Sequence, residues 1–160
     1  MKTPLTLLFA LGCLVAGPAS AKPLGSPIIG TWAVDVTKLP MPPEARPKSV
    51  TISFSEPAIG RMAMQVEILS NDGSARRMGS AFAPDGTAVP IEGDKAEADT
   101  AAAKMPAPNV LVMALGKDGI PASTRIYTVA PGGEEMTETA VYFGADGKPI
   151  MRTNAFTRSR

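Results

Sequence analysis

The sequence predicts an all-β fold, an antiparallel up-and-down (meander) β-barrel of eight to ten strands. Three observations carry this. Short runs alternate apolar and polar residues at the two-residue period of a half-buried strand. Asp-Gly and related pairs, which supply the positive φ angles of tight turns, separate the runs. Gly30-Thr31-Trp32 opens the first run. Closing such a meander on itself removes both exposed edges, which favours a barrel over an open sheet.

Lys2, the apolar run 5–15 and Ala19-Ser20-Ala21 have the basic start, short apolar core and small-residue cleavage point of a secretory signal peptide. Residues 1–21 are therefore expected to be removed, leaving an exported protein of the periplasm or exterior. The apolar run falls short of the ~20 residues that span a bilayer, so no transmembrane segment is expected. Cys13 follows Gly12 as in a lipid-anchored precursor, but Leu11 occupies a place where such signals carry a small residue, and the anchor is disfavoured.

Residues 22–27 read as an extended leader and 28–160 as a single barrel domain. In the run 28–36, Trp32, Val34 and Val36 share one face. The stretch 37–47, with Pro40, Pro42, Pro43 and Pro47, is a loop at the barrel mouth or edge. Val50, Ile52 and Phe54 then alternate with polar residues, as do Met62, Met64, Val66 and Ile68. Asn71-Asp72-Gly73 turns the chain into 74–83, which carries Arg76, Met78 and Phe82. Asp85-Gly86, Asp118-Gly119, Pro131-Gly132-Gly133 and Asp146-Gly147 continue the punctuation, with strands expected near 87–91, 100–105, 109–116, 120–130, 134–144 and 149–158. The Ala-rich stretch 93–105 leaves a short helix open as an alternative.

The net charge of +1 vanishes once Lys2 is removed with the signal peptide. A neutral exported chain has no electrostatic reason to seek nucleic acid, and none is expected as a partner. The chain has no histidine, and its single cysteine lies in the predicted signal peptide. Thiol nucleophiles, imidazole bases, His-zinc sites and Ser-His-Asp arrangements are thereby excluded.

Ile29-Gly30-Thr31-Trp32 on a first strand, the meander of hairpins, the proline-containing loop before Lys48-Ser49, Asp99 before Thr100, Asp146-Gly147-Lys148-Pro149 and a basic residue ending the last strand together resemble the lipocalin/calycin superfamily. More narrowly, the chain resembles small secreted bacterial lipocalin-like proteins of unassigned function. The resemblance implies a Trp lying across the closed end of the barrel with a basic side chain over it, a cation–π contact supported by guanidinium hydrogen bonds. The first and last strands of a closed meander are antiparallel neighbours, which puts Arg158 nearest Trp32, with Gly30 beside them and Arg152 as the weaker candidate.

The resemblance further implies a small hydrophobic or amphipathic ligand in the open half. The inward candidates are Phe54, Met62, Met64, Met78, Phe82, Met113 and Met136, a Met-rich set suited to irregular ligands. The same side chains could instead fill a small barrel, making the protein a structural or interaction module of the envelope with a protein partner. A pocket of roughly 300 Å³ or more would separate the two readings.

Met62 and Met64 invite a copper(I) reading that lacks further soft ligands, so core packing is preferred. Glu92, Asp94, Glu97 and Asp99 lack calcium-loop spacing and read as a solvated acidic turn. No metal or cofactor is therefore expected, and no residue is assigned as catalytic. A cofactor-independent isomerase or cyclase built from Tyr127, Tyr142, Arg125 and Glu138 on adjacent late strands is the third reading.

Overall fold

The computed structural model describes residues 24–159. The predicted signal peptide lies outside these residues. Eleven strands form one sheet: β1 (Gly30–Val34), β2 (Ser49–Ala58), β3 (Arg61–Leu69), β4 (Ala75–Phe82), β5 (Asp85–Pro90), β6 (Glu92–Gly93), β7 (Thr100–Ala107), β8 (Val110–Lys117), β9 (Ile120–Val129), β10 (Glu135–Phe143) and β11 (Pro149–Arg158). Every ladder is antiparallel, and the order is β5-β7-β8-β9-β10-β11-β1-β2-β3-β4-β6, a nearly closed meander barrel. The first and last long strands meet through Trp32↔Arg158.

Closure at the other seam departs from the hairpin pattern expected at Asp85-Gly86. β5 pairs with β7 rather than with its predecessor β4, while the two-residue β6 returns to β4 through Met78↔Gly93 and Gly79↔Glu92. One chain segment, 85–93, thus divides its hydrogen bonds between the two flanking strands. Asp85 and Gly86 sit in a register shift of β5, and the Asp85 carboxylate accepts from Thr87 N at 2.8 Å. The run expected at 87–91 is thus β5, which begins at Asp85 and ends at Pro90, and the separate β6 follows it after Ile91.

The stretch 93–105 is not helical. It leaves β6, loops over 94–99 and enters β7, whose Ala101 and Ala103 are buried at alternate positions. The pleat is stronger here than the helix preference of alanine because the ladder to β8 satisfies the backbone. Pro57, Pro106 and Pro121 each fall at a register shift, where a missing N–H costs no ladder bond.

The inward face is filled towards one end by Trp32, Phe82, Met62, Leu111, Met113 and Val129, none more than 1 % exposed. Residues 24–28 plug that end: Ile28 is fully buried, and Ser26 Oγ donates to Pro108 O at 2.6 Å. The segment read as an extended leader is thus partly core. At the opposite end lie the loop 35–48, with 3-10 turns at Val36–Lys38 and Pro43–Ala45, and the tips after β3, β6, β8 and β10.

Candidate functional site

At the closed end, alternation along β1 turns Trp32 inward, where its Nε1 donates to Ile28 O at 2.8 Å. The Arg158 guanidinium carbon lies 4.2 Å from the Trp32 ring centroid. Its nitrogens donate to Gly133 O at 2.7 Å, Ile29 O at 2.9 Å and Pro27 O at 2.5 Å. One planar fork therefore ties the segment that leads into β1 to the β9–β10 turn. Gly30 has φ of 139°, and a Cβ there would come within 2.2 Å of Arg158 Nη1, so glycine is what lets the fork approach. Arg152, the weaker sequence candidate for this brace, lies at the other end of β11 and stacks over the Tyr142 ring at 5.5 Å.

Above the filled half lies a chamber of about 170 Å³. Its walls are mainly aliphatic, with Val50, Ile52, Val66, Ile68, Leu115 and Phe156 among them. Of the seven inward candidates, Met64 and Met78 line it. Phe54, Met62, Phe82, Met113 and Met136 instead pack in the closed half, each at most 2 % exposed. The Phe54 and Tyr127 rings meet edge to face with centroids 5.4 Å apart. Met62 and Met64 are paired with Phe82 and Ser80, so no further thioether faces them across β4.

Polar side chains gather on one wall, where β9, β10 and β11 run side by side. Tyr127↔Glu138 and Glu138↔Asn154 are register pairs, which sets three inward side chains in a row across the sheet. Glu138, 4 % exposed, accepts from Arg125 Nη1 at 3.1 Å, Tyr127 Oη at 3.1 Å and Asn154 Nδ2 at 2.7 Å. Burial, and then the neighbouring Glu138 carboxylate, push the Tyr127 phenol well above its ordinary pKa, so it stays protonated and donates. Burial is the largest single influence on Arg125 and works against its charge, but Glu138, Tyr127 and Glu97 together outweigh it and raise the Arg125 pKa. Glu97 reaches Arg125 from the loop 94–99 at 3.1 Å.

The structure thus joins Arg125, Tyr127 and Glu138 and leaves Tyr142 apart from them. Asn154, Glu97 and Arg152 were missed as site residues. Inward alternation from Phe156 back through Asn154 to Arg152 is the signal that could have found two of them.

The acidic residues of the turn 92–99 go to separate partners. Asp94 lies 3.8 Å from Arg76, and Asp99 accepts from Asp118 N at 2.8 Å. Among the described residues no group of three His, Cys, Asp or Glu is placed to hold a metal ion.

The chamber opens towards a vestibule of about 480 Å³ under the loop 39–47 and the β3–β4 tip. Leu39, Val50, Ile68, Glu97 and Arg152 border both spaces, so the two adjoin. Asn71 Nδ2 donates to Arg46 O at 2.8 Å and fastens the proline loop to that tip.

The fold is that of the calycin barrels. Solved structures of the fluorescent protein UnaG are similar to this chain at 15 % identity and a TM-score of 0.54, covering 82 % of this chain and 96 % of UnaG. An asparagine-to-alanine variant of UnaG gives 14 % identity and 0.55, covering 84 % and 97 %. At that identity the likeness is one of fold. No family model and no curated protein matches the sequence. Among the described residues no helix is long and apolar enough to cross a membrane.

Proposed function

We propose that this barrel binds a small amphipathic molecule, its apolar part in the chamber and its polar part at the vestibule, and that the protein does so after export. The observation that carries the reading is the half-filled interior: side chains close one end of the barrel, and an aliphatic chamber adjoins a wider mouth at the other. The chamber alone is smaller than the roughly 300 Å³ of a typical ligand pocket, and it is the adjoining vestibule that makes room for the rest of the molecule. The polar wall supports binding rather than turnover. Glu138 already receives three donors, and Tyr127 holds its proton.

The apolar dye N-phenylnaphthylamine should brighten on binding the wild type, and Ala98→Phe, which projects a ring into the chamber, should abolish this while leaving the fold intact. A wild type that does not bind, or a folded Ala98→Phe protein that binds equally well, overturns the proposal. For export, the expected outcome is a mature N-terminus near Lys22 by mass spectrometry of protein from the cell exterior or periplasm. Recovery of uncleaved chain in the cytosol overturns that half.

The small chamber gives the second reading, an interaction module of the envelope without ligand, its specific support. Retention of a protein partner by the Ala98→Phe variant, in the absence of any dye binding, is the outcome that favours it.

A further inference from the structure

We infer that the bound molecule carries an anionic oxygen head group and that Arg152 is the residue that takes it, a reading that rests on the ligand-binding function proposed above. Arg152 on β11 and Arg125 on β9 are both register partners of Ala140 on β10, so two guanidinium groups flank one fully buried alanine. Their surroundings differ. Arg125 has two carboxylates, Glu138 and Glu97, each at 3.1 Å. Arg152 has none within 4.0 Å among the described residues, and its buried Nε lacks a hydrogen-bond partner.

Arg152 also stands where the spaces meet. It borders the chamber, the vestibule and a third recess of about 260 Å³ beside Ser123 and Tyr142. Stacking on Tyr142 holds the guanidinium by its face, which leaves the donor edges for another group. A planar fork of N–H donors matches a carboxylate or phosphate, and a half-buried cation with an orphaned donor gains most from a charged acceptor. The other cations of the vestibule are already turned aside: Arg46 Nε donates to Met41 O at 3.1 Å, and Arg76 leans to Asp94. A ligand with its tail in the chamber would bring its head to Arg152 at the neck. A cationic head there would meet the guanidinium, and a neutral one would leave it without a counter-charge.

The test compares decanoate, decyl phosphate, decanol and decylamine by calorimetry on the wild type, Arg152→Gln and Arg152→Lys. The wild type should prefer an anionic member over decanol by about tenfold or more. Arg152→Gln should erase that preference while still binding decanol, which shows the chamber intact, and Arg152→Lys should keep part of it. Decanoate over decyl phosphate, or the reverse, tells which oxyanion the fork fits, and either supports the inference. Equal affinity for decanoate, decyl phosphate and decanol in the wild type, or an unchanged preference in Arg152→Gln, overturns it and leaves the ligand-binding reading standing. If none of the four binds the wild type, both fall.

Discussion

Three side chains carry most of what can be tested one residue at a time. Arg158 makes three charge-assisted bonds to backbone carbonyls and covers Trp32. Arg158→Ala strands those carbonyls and should cost about 3 kcal/mol, read by urea unfolding together with a shifted Trp fluorescence. Arg158→Lys should recover little, because an ammonium cannot span three acceptors spread over two segments. Glu138→Gln removes the buried charge that Arg125 faces and should destabilise by about 3 kcal/mol, whereas a fourfold Arg125→Met, Glu138→Leu, Tyr127→Phe, Asn154→Leu replacement, which removes every donor to the lost carboxylate, should restore much of the loss. Tyr127 sets a pH limit. Its pKa is raised in the folded state, so its contribution is complete below the unfolded value of about 10 and is lost as pH rises towards the folded one. Unfolding free energy followed from neutral pH to above about pH 10 should fall more steeply in the wild type than in Tyr127→Phe. Trp32 and Arg158 could be matched from sequence because closure dictates which strands are neighbours. Asn154 could be read as inward from its alternation with Phe156 but not matched to Glu138, because that pairing depends on the exact register.

At the scale of elements, the alternating runs were legible because a half-buried pleat writes its two faces into the chain. The Asp-Gly tips after β3, β8 and β10 were legible too, since Asp72 and Asp146 fold back onto the N–H two residues on and Asp118 takes a φ of 52°. Asp85-Gly86 carries the same local chemistry but serves a register shift, and nothing local tells a strand which neighbour to join. That ambiguity falls on the segment 85–93. Gly93 has φ of 82°, and a Cβ there would lie 2.2 Å from Arg77 O. Gly93→Ala should cost about 2 kcal/mol or more and should speed hydrogen exchange selectively at Asp94 N, which bonds Arg77 O across this seam. Uniformly unchanged exchange would show the seam to be unimportant for closure.

For the whole molecule, the division between a filled and an open half is what the inward residue pattern could not reveal. Met62 and Met64 are alike in type and share a strand face, yet Met62 is fully buried among packed side chains and Met64 borders the chamber. Depth along the barrel axis decides this, and depth comes from register and from the plug at 24–28 rather than from periodicity. The plug has a further consequence. Arg158 joins Pro27 across 131 residues of sequence, and β1 finds one of its two partners in β11. The structure closes through contacts that exist only when both termini of the domain are present together, which makes folding non-local and slow by the standard of its size. As the chain is made from its N-terminus, the barrel cannot close until the last strand follows, so β1 waits with one edge open for the partner that is synthesised last.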